Sequence, residues 1–93
     1  MNMIFKYDFG ILSHGIHTTI VDNEINYIMD FQEQYGQLVM WANVKGHMNP
    51  KQVSIDVRWT GEPASDWQYV KTIQGSDFLV YHIYVKPDVC PVA

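Results

Sequence analysis

The sequence predicts an all-β domain, a single small antiparallel sandwich or open barrel of about five to seven strands. Three observations carry this expectation. Apolar and polar residues alternate with a period of two along most of the chain. Turn residues punctuate the alternation at short intervals. Hydrophobic residues make up 47% of the 93 residues and charged residues 17%, a balance that fits a packed core and excludes disorder.

The elements follow in order. Met3, Phe5, Tyr7 and Phe9 alternate with Ile4, Lys6 and Asp8, a strand that Gly10 ends. Residues 17–21 are rich in β-branched side chains and read as a second strand, and Asp22-Asn23 reads as a turn. In residues 25–35, Ile25, Tyr27, Met29 and Phe31 alternate as in a strand. Ile25, Ile28, Met29, Gln32 and Tyr35 also sit at helical spacing, with Asn23 placed to cap and Gly36 to terminate. The strand reading is preferred, because Gln32 interrupts the helical face. A helix over residues 24–35 is the alternative, and it would make the class α+β.

Gln34 to Gln37 reads as a hairpin turn with Gly36 at positive φ. Residues 38–44 have two mainly apolar faces and read as a central strand. Residues 45–52 carry Gly46, Asn49 and Pro50 and read as a loop. In residues 53–60, Val53, Ile55, Val57 and Trp59 form an apolar face, and Ser54, Asp56, Arg58 and Thr60 a wet one. A connector over 61–66, a short strand over 69–73 and a turn over 75–77 come next. A last central strand spans 78–86. The expected organisation is one β domain over residues 1–86 and a short C-terminal tail over 87–93.

Composition limits the function. The net charge of -4 excludes a basic DNA- or RNA-binding protein. A single Cys excludes an internal disulfide or a Cys-rich zinc site. No apolar run approaches the ~18 residues of a membrane span, and no signal core is seen near the N-terminus. Thirteen aromatic residues are a heavy load for so small a core, so some are expected on the surface, in a pocket or in a subunit interface, and with the two-faced apolar strands 38–44 and 78–86 they predict a homodimer or higher homo-oligomer.

Motifs for catalysis are lacking. His14 and His17 lie in a loop and at a strand start, where their spacing carries no chelating geometry, so no metal site is expected. Cys90, between Val89 and Pro91, has no base or electropositive setting. His82 sits mid-strand between Val80 and Tyr84 and reads as a hydrogen-bonded core histidine or a pocket-lining group. No enzymatic activity and no cofactor are expected. The candidate binding residues are Arg58, Trp59, Thr60, Trp41, His82 and Tyr84. Arg58, the sole arginine, offers a planar fork of donors to an anion or acidic surface, and the aromatics offer stacking area. The plainer reading pairs Arg58 with Asp56 or Glu62.

Several segments taken in order resemble a known family: Ile4-Phe5-Lys6-Tyr7, Leu38-Val39-Met40-Trp41-Ala42, Trp59-Thr60-Gly61-Glu62-Pro63, Tyr69-Val70-Lys71-Thr72-Ile73 and Leu79-Val80-Tyr81-His82-Ile83-Tyr84-Val85. The family comprises short proteins of tailed phages and prophages catalogued as a domain of unknown function. It usually has His where Glu62 stands and a Gly-Ala turn where Asp22-Asn23-Glu24 stands. The resemblance implies a phage accessory protein in the cytoplasm of the infected bacterial host. The expected function is non-enzymatic inhibition of a host defence protein by binding. The alternatives are a sponge for a nucleotide immune signal and a structural or regulatory phage protein.

Overall fold

The turn at Tyr35 and Gly36 organises the chain. Both residues have positive φ, 52° and 81°. Such a two-residue turn matches the twist of the strands it joins. It links β2 (Gly15–Gln34) to β3 (Gln37–Trp59) in a long antiparallel hairpin, paired from Gln34↔Gln37 out to Gly15↔Val57. The computed structural model describes residues 2–86, and the expected tail over 87–93, with Cys90, lies outside the described residues. The remaining strands are β1 (Met3–Ile11), β4 (Gln68–Gln74) and β5 (Val80–Val85). All pairings are antiparallel, and no helix occurs among the described residues, so the fold is all-β as the alternation predicts.

β2 occupies one edge of β3 along nearly its whole length. The other edge is shared: β1 takes the first half, from Met3↔Val44 to Ile11↔Gln37, and β5 takes the second, from Ile55↔Val85 to Trp59↔Tyr81. β4 then pairs with the free edge of β5. Both strands expected to be central, 38–44 within β3 and 78–86 around β5, are flanked on two sides.

Two expected breaks are absent. Residues 45–52, read as a loop, are strand, and so are Asp22 and Asn23, read as a turn. The two segments face each other in the hairpin. Between Val21↔Lys51 and Asn23↔His47 the register shifts, so that residues 48–50 oppose Asp22 alone. The breakers are absorbed in a bend of a continuous ladder, a position where a proline costs no ladder bond. The bend also switches the inward parity of β3, from Leu38, Met40, Ala42 and Val44 before it to Val53, Ile55 and Val57 after it, all fully buried.

The ambiguity over residues 24–35 has a related cause. Register shifts at Ile25/Tyr27 and Ile28/Asp30 mark bulges in β2. They turn Ile25, Ile28 and Phe31 inward at intervals of three, while Tyr27 and Met29 stay exposed. A bulged strand thereby acquires a spacing that imitates a helix.

The bent sheet closes over one core, with Phe9 against Phe31 at a ring-centroid distance of 5.9 Å and with Ile73, Tyr81, Ile83 and Val85 from the other half. Side chains fasten the meeting edges. Thr19 Oγ1 donates to the Asp8 carbonyl at 3.1 Å, and Lys71 Nζ meets Asp30 Oδ1 at 2.6 Å. Burial alone would raise the Asp30 pKa, and the hydrogen bonds from Lys71 and Gln32 outweigh it and hold the carboxyl below its usual range.

The last strand begins later than expected. Phe78 has a φ of 67° and lies with Leu79 outside β5, in a turn closed by Gly75 N to Leu79 O at 2.9 Å and Phe78 N to Gly75 O at 3.0 Å. The core assignment is tested by truncation. Phe31→Ala should lower unfolding stability by ~3–5 kcal/mol, and Ile20→Ala, at 57% exposure, by ~0.5 kcal/mol or less. Urea unfolding curves check this, and similar losses at the two sites would contradict the arrangement.

Candidate functional site

β3 and β4 both run antiparallel to β5, which lies between them, so they are parallel to each other. The chain must therefore cross back along the length of β5, and residues 60–67 do so without regular structure. Arg58 holds this crossover. Its Nε donates to Asp56 Oδ2 at 3.1 Å, its Nη2 lies 3.1 Å from the same oxygen, and its Nη1 donates to the Pro63 carbonyl at 2.8 Å. Asp56, expected on a wet face, is buried. The Arg58 guanidinium lies against its carboxylate, and Tyr84 is its cross-strand partner. This is the plainer of the two readings for Arg58, with a carbonyl partner that the sequence does not reveal.

His82 is the cross-strand neighbour of Arg58. Its Nε2 lies 2.7 Å from Thr60 Oγ1 and its Nδ1 3.0 Å from Thr72 Oγ1. Thr72 Oγ1 in turn meets the Tyr69 hydroxyl at 2.7 Å, and the Tyr69 ring stands edge-on to Tyr84 at 5.7 Å. A neutral imidazole has one donor and one acceptor, and a hydroxyl serves either, so both nitrogens are satisfied.

Arg58, Thr60, Glu62, Pro63, His82 and Tyr84 line a cavity of about 170 Å³ beneath the crossover. This is below the roughly 300–1,000 Å³ of sites that enclose a small molecule. Its electrostatics do not favour an anion either. The Arg58 charge is already matched by Asp56, and Glu62 places a second carboxylate in the same space.

Glu62 has a structural task. Its Oε1 accepts from the Trp59 backbone N–H at 2.7 Å and meets His14 Nε2 at 2.7 Å. The Trp59 N–H first, and His14 second, hold the Glu62 carboxyl below the usual range. The His14 ring packs on Trp59 at 4.5 Å. His14 and Glu62 are 48 residues apart, and no local signal joins them.

Of the six candidates, Arg58, Trp59, Thr60, His82 and Tyr84 come together here, and Trp41 does not. It lies in the first half of β3 opposite Lys6 and Asp30, with Lys6 Nζ 5.7 Å from its ring centroid.

A larger concavity opens beside the cavity and shares Trp59 and Thr60 with it. It has a volume of about 520 Å³ and is completed by Phe78, Leu79 and Val80. Phe78 is 82% exposed, Leu79 50% and Trp59 47%. The turn that presents Phe78 is braced by Asp77, which accepts from Leu79 N at 3.0 Å and from the Tyr81 hydroxyl at 2.7 Å. The Tyr81 bond first, then the Leu79 bond, hold the Asp77 carboxyl below its usual range. The same contact raises the Tyr81 pKa. Gly75 makes the brace possible, since a Cβ there would stand 2.7 Å from Asp77 Oδ1. The sequence places Phe78 and Leu79 in a strand, because alternation runs on unbroken through the turn.

Two outcomes follow. Arg58→Ala leaves the buried Asp56 carboxylate unpaired and should cost on the order of 1–3 kcal/mol in urea unfolding, with Asp56→Ser added to it recovering part of the loss. Glu62 has a folded pKa below the usual glutamate range, so its contribution is present above that range and lost as pH falls through the folded value. In a comparison of stability against pH, Glu62→Gln should flatten the acid limb and be less stable near neutrality.

No curated protein and no solved structure matches the chain. A family model described as a domain of unknown function, DUF7352, matches residues 1–91. By that match the chain belongs to the DUF7352 family.

Proposed function

We propose that this is a phage accessory protein that acts without catalysis, by binding a protein of a bacterial defence system in the cytoplasm of the infected host. The phage setting rests on the resemblance of its ordered segments. The mode of action rests on one observation, the exposed concavity of Trp59, Phe78, Leu79 and Val80. Clustered exposed apolar residues with aromatic anchors characterise protein-binding surfaces. A nucleotide sponge draws less support, because the neighbouring polar cavity is small and its only arginine is committed to Asp56 and Pro63.

The experiment is expression in bacteria carrying different defence systems, scored for phage plating. Plating should be restored against at least one system, and Phe78→Ser should abolish the effect with an unchanged melting temperature. Failure against every system overturns the proposal in favour of a structural or regulatory role. A nucleotide panel tests the sponge. A ligand at 100 times its Kd adds ~2.7 kcal/mol of stability, and such a shift would replace protein binding as the reading.

A further inference from the structure

We infer that the concavity formed by Trp59, Phe78, Leu79 and Val80 docks an apolar segment of a partner protein that is flanked by Lys or Arg. The inference rests on the protein-binding reading and names the chemistry of the partner.

The first argument is the cost of Phe78. A bulky L-residue at a φ of 67° is a conformational outlier. Such strain persists only where the surroundings impose it, and it gathers at functional positions. Here the Gly75–Leu79 hydrogen bond and the Asp77 brace impose it. Burial does not offset it, since the side chain is 82% exposed. The ring therefore gains nothing within this chain from where it stands. It forms one wall of a 520 Å³ hollow whose other walls are also apolar, and that hollow accepts a side chain such as Leu or Phe.

The second argument is charge. Asp77 precedes Phe78 in the turn, and Glu62 is bonded to the Trp59 backbone. Hydrogen bonds keep both carboxyls in the ionised form. The nearby guanidinium of Arg58 is matched by Asp56. No described lysine or arginine lines the hollow. The lining itself is uncharged, and the two carboxylates stand next to Phe78 in the chain and on the backbone of Trp59, in a protein of net charge -4. A cationic flank on the partner complements them. A second copy of this chain complements them less well, because it carries the same net charge of -4.

The test uses the full chain, isotope-labelled, and three amidated peptides. One has two leucines flanked by lysines, the second has glutamates in place of the lysines, and the third has serines in place of the leucines. The lysine–leucine peptide should move the Trp59 indole N–H and the backbone amides of Phe78, Leu79 and Val80. It should bind at least ~10-fold more tightly than the glutamate peptide at low salt, and the gap should narrow at high salt. Phe78→Gly relieves the backbone strain and removes the ring, so it should weaken binding ~10-fold or more while the melting temperature holds or rises. Equal affinity for the two charged peptides, independent of salt, overturns the charge assignment and leaves an apolar protein-binding surface standing. Equal binding of the serine peptide, or no shift at these residues with any peptide, overturns the docking surface as well. Shifts at the same amides that depend on protein concentration alone, with a dimer mass by light scattering, overturn it in favour of a second copy.

Discussion

The structure depends on β3 using both of its edges. Because β2 fills one edge nearly throughout, the other edge must be divided, and β1 and β5 meet it in different halves. A straight strand of 23 residues would leave its two half-sheets side by side and their apolar faces uncovered. The bend at residues 45–52 folds one half over the other, and the parity switch keeps the inward residues facing the same core on both sides. Core, seams and bend are therefore one feature. The seam contacts Lys71–Asp30 and Thr19–Asp8 add modestly to it, since exposed ion pairs and single hydrogen bonds are each worth little.

The candidate site is a consequence of that division. With β5 paired to β3 and followed outward by β4, the β3–β4 connection has to run back along β5. A crossover in a parallel arrangement usually carries a helix that buries itself on the sheet. Residues 60–67 have no helix, and half-buried Trp67 at their end is their one large apolar side chain. Polar contacts do this work: Arg58 to Pro63, Glu62 to Trp59 and His14, and His82 to Thr60. The sole arginine thus has a role that follows from topology, and the polar cavity under the crossover is the space between the sheet and its fastenings.

The strand faces were legible in the sequence because burial acts every second residue wherever the ladder is regular. Leu38, Met40, Ala42 and Val44, and then Val53, Ile55 and Val57, point inward as the alternation implies. What failed were the places where a ladder bends without ending. Gly46, Asn49 and Pro50 look the same in a loop and in a bend, and Ile25, Ile28 and Phe31 look the same in a bulged strand and on a helix. Five of the six candidate residues converge because they share one face or one end of neighbouring strands. Trp41 shares their strand but lies beyond the bend. His14 and Phe78 were not legible as site neighbours: the first meets Glu62 across 48 residues, and the second depends on a backbone conformation that alternation hides.

The aromatic surplus resolves along the same lines. Phe9, Phe31 and Tyr81 belong to the core. The exposed aromatics are Tyr27, Tyr35, Trp59, Tyr69 and Phe78. Tyrosine and tryptophan carry a polar group that water or a neighbour satisfies, as Thr72 does for the Tyr69 hydroxyl, and Trp59 is partly covered by the His14 ring. Phenylalanine has no such group. Among these five, Phe78 alone combines a wholly apolar ring, 82% exposure and an unfavourable φ. Folding does not explain its position, because each of those properties opposes folding. The docking proposed for this surface would account for it, and the hydrogen bonds that close the Gly75–Leu79 turn would then serve binding, since a ring held in place beforehand loses less entropy on contact than one that must be ordered.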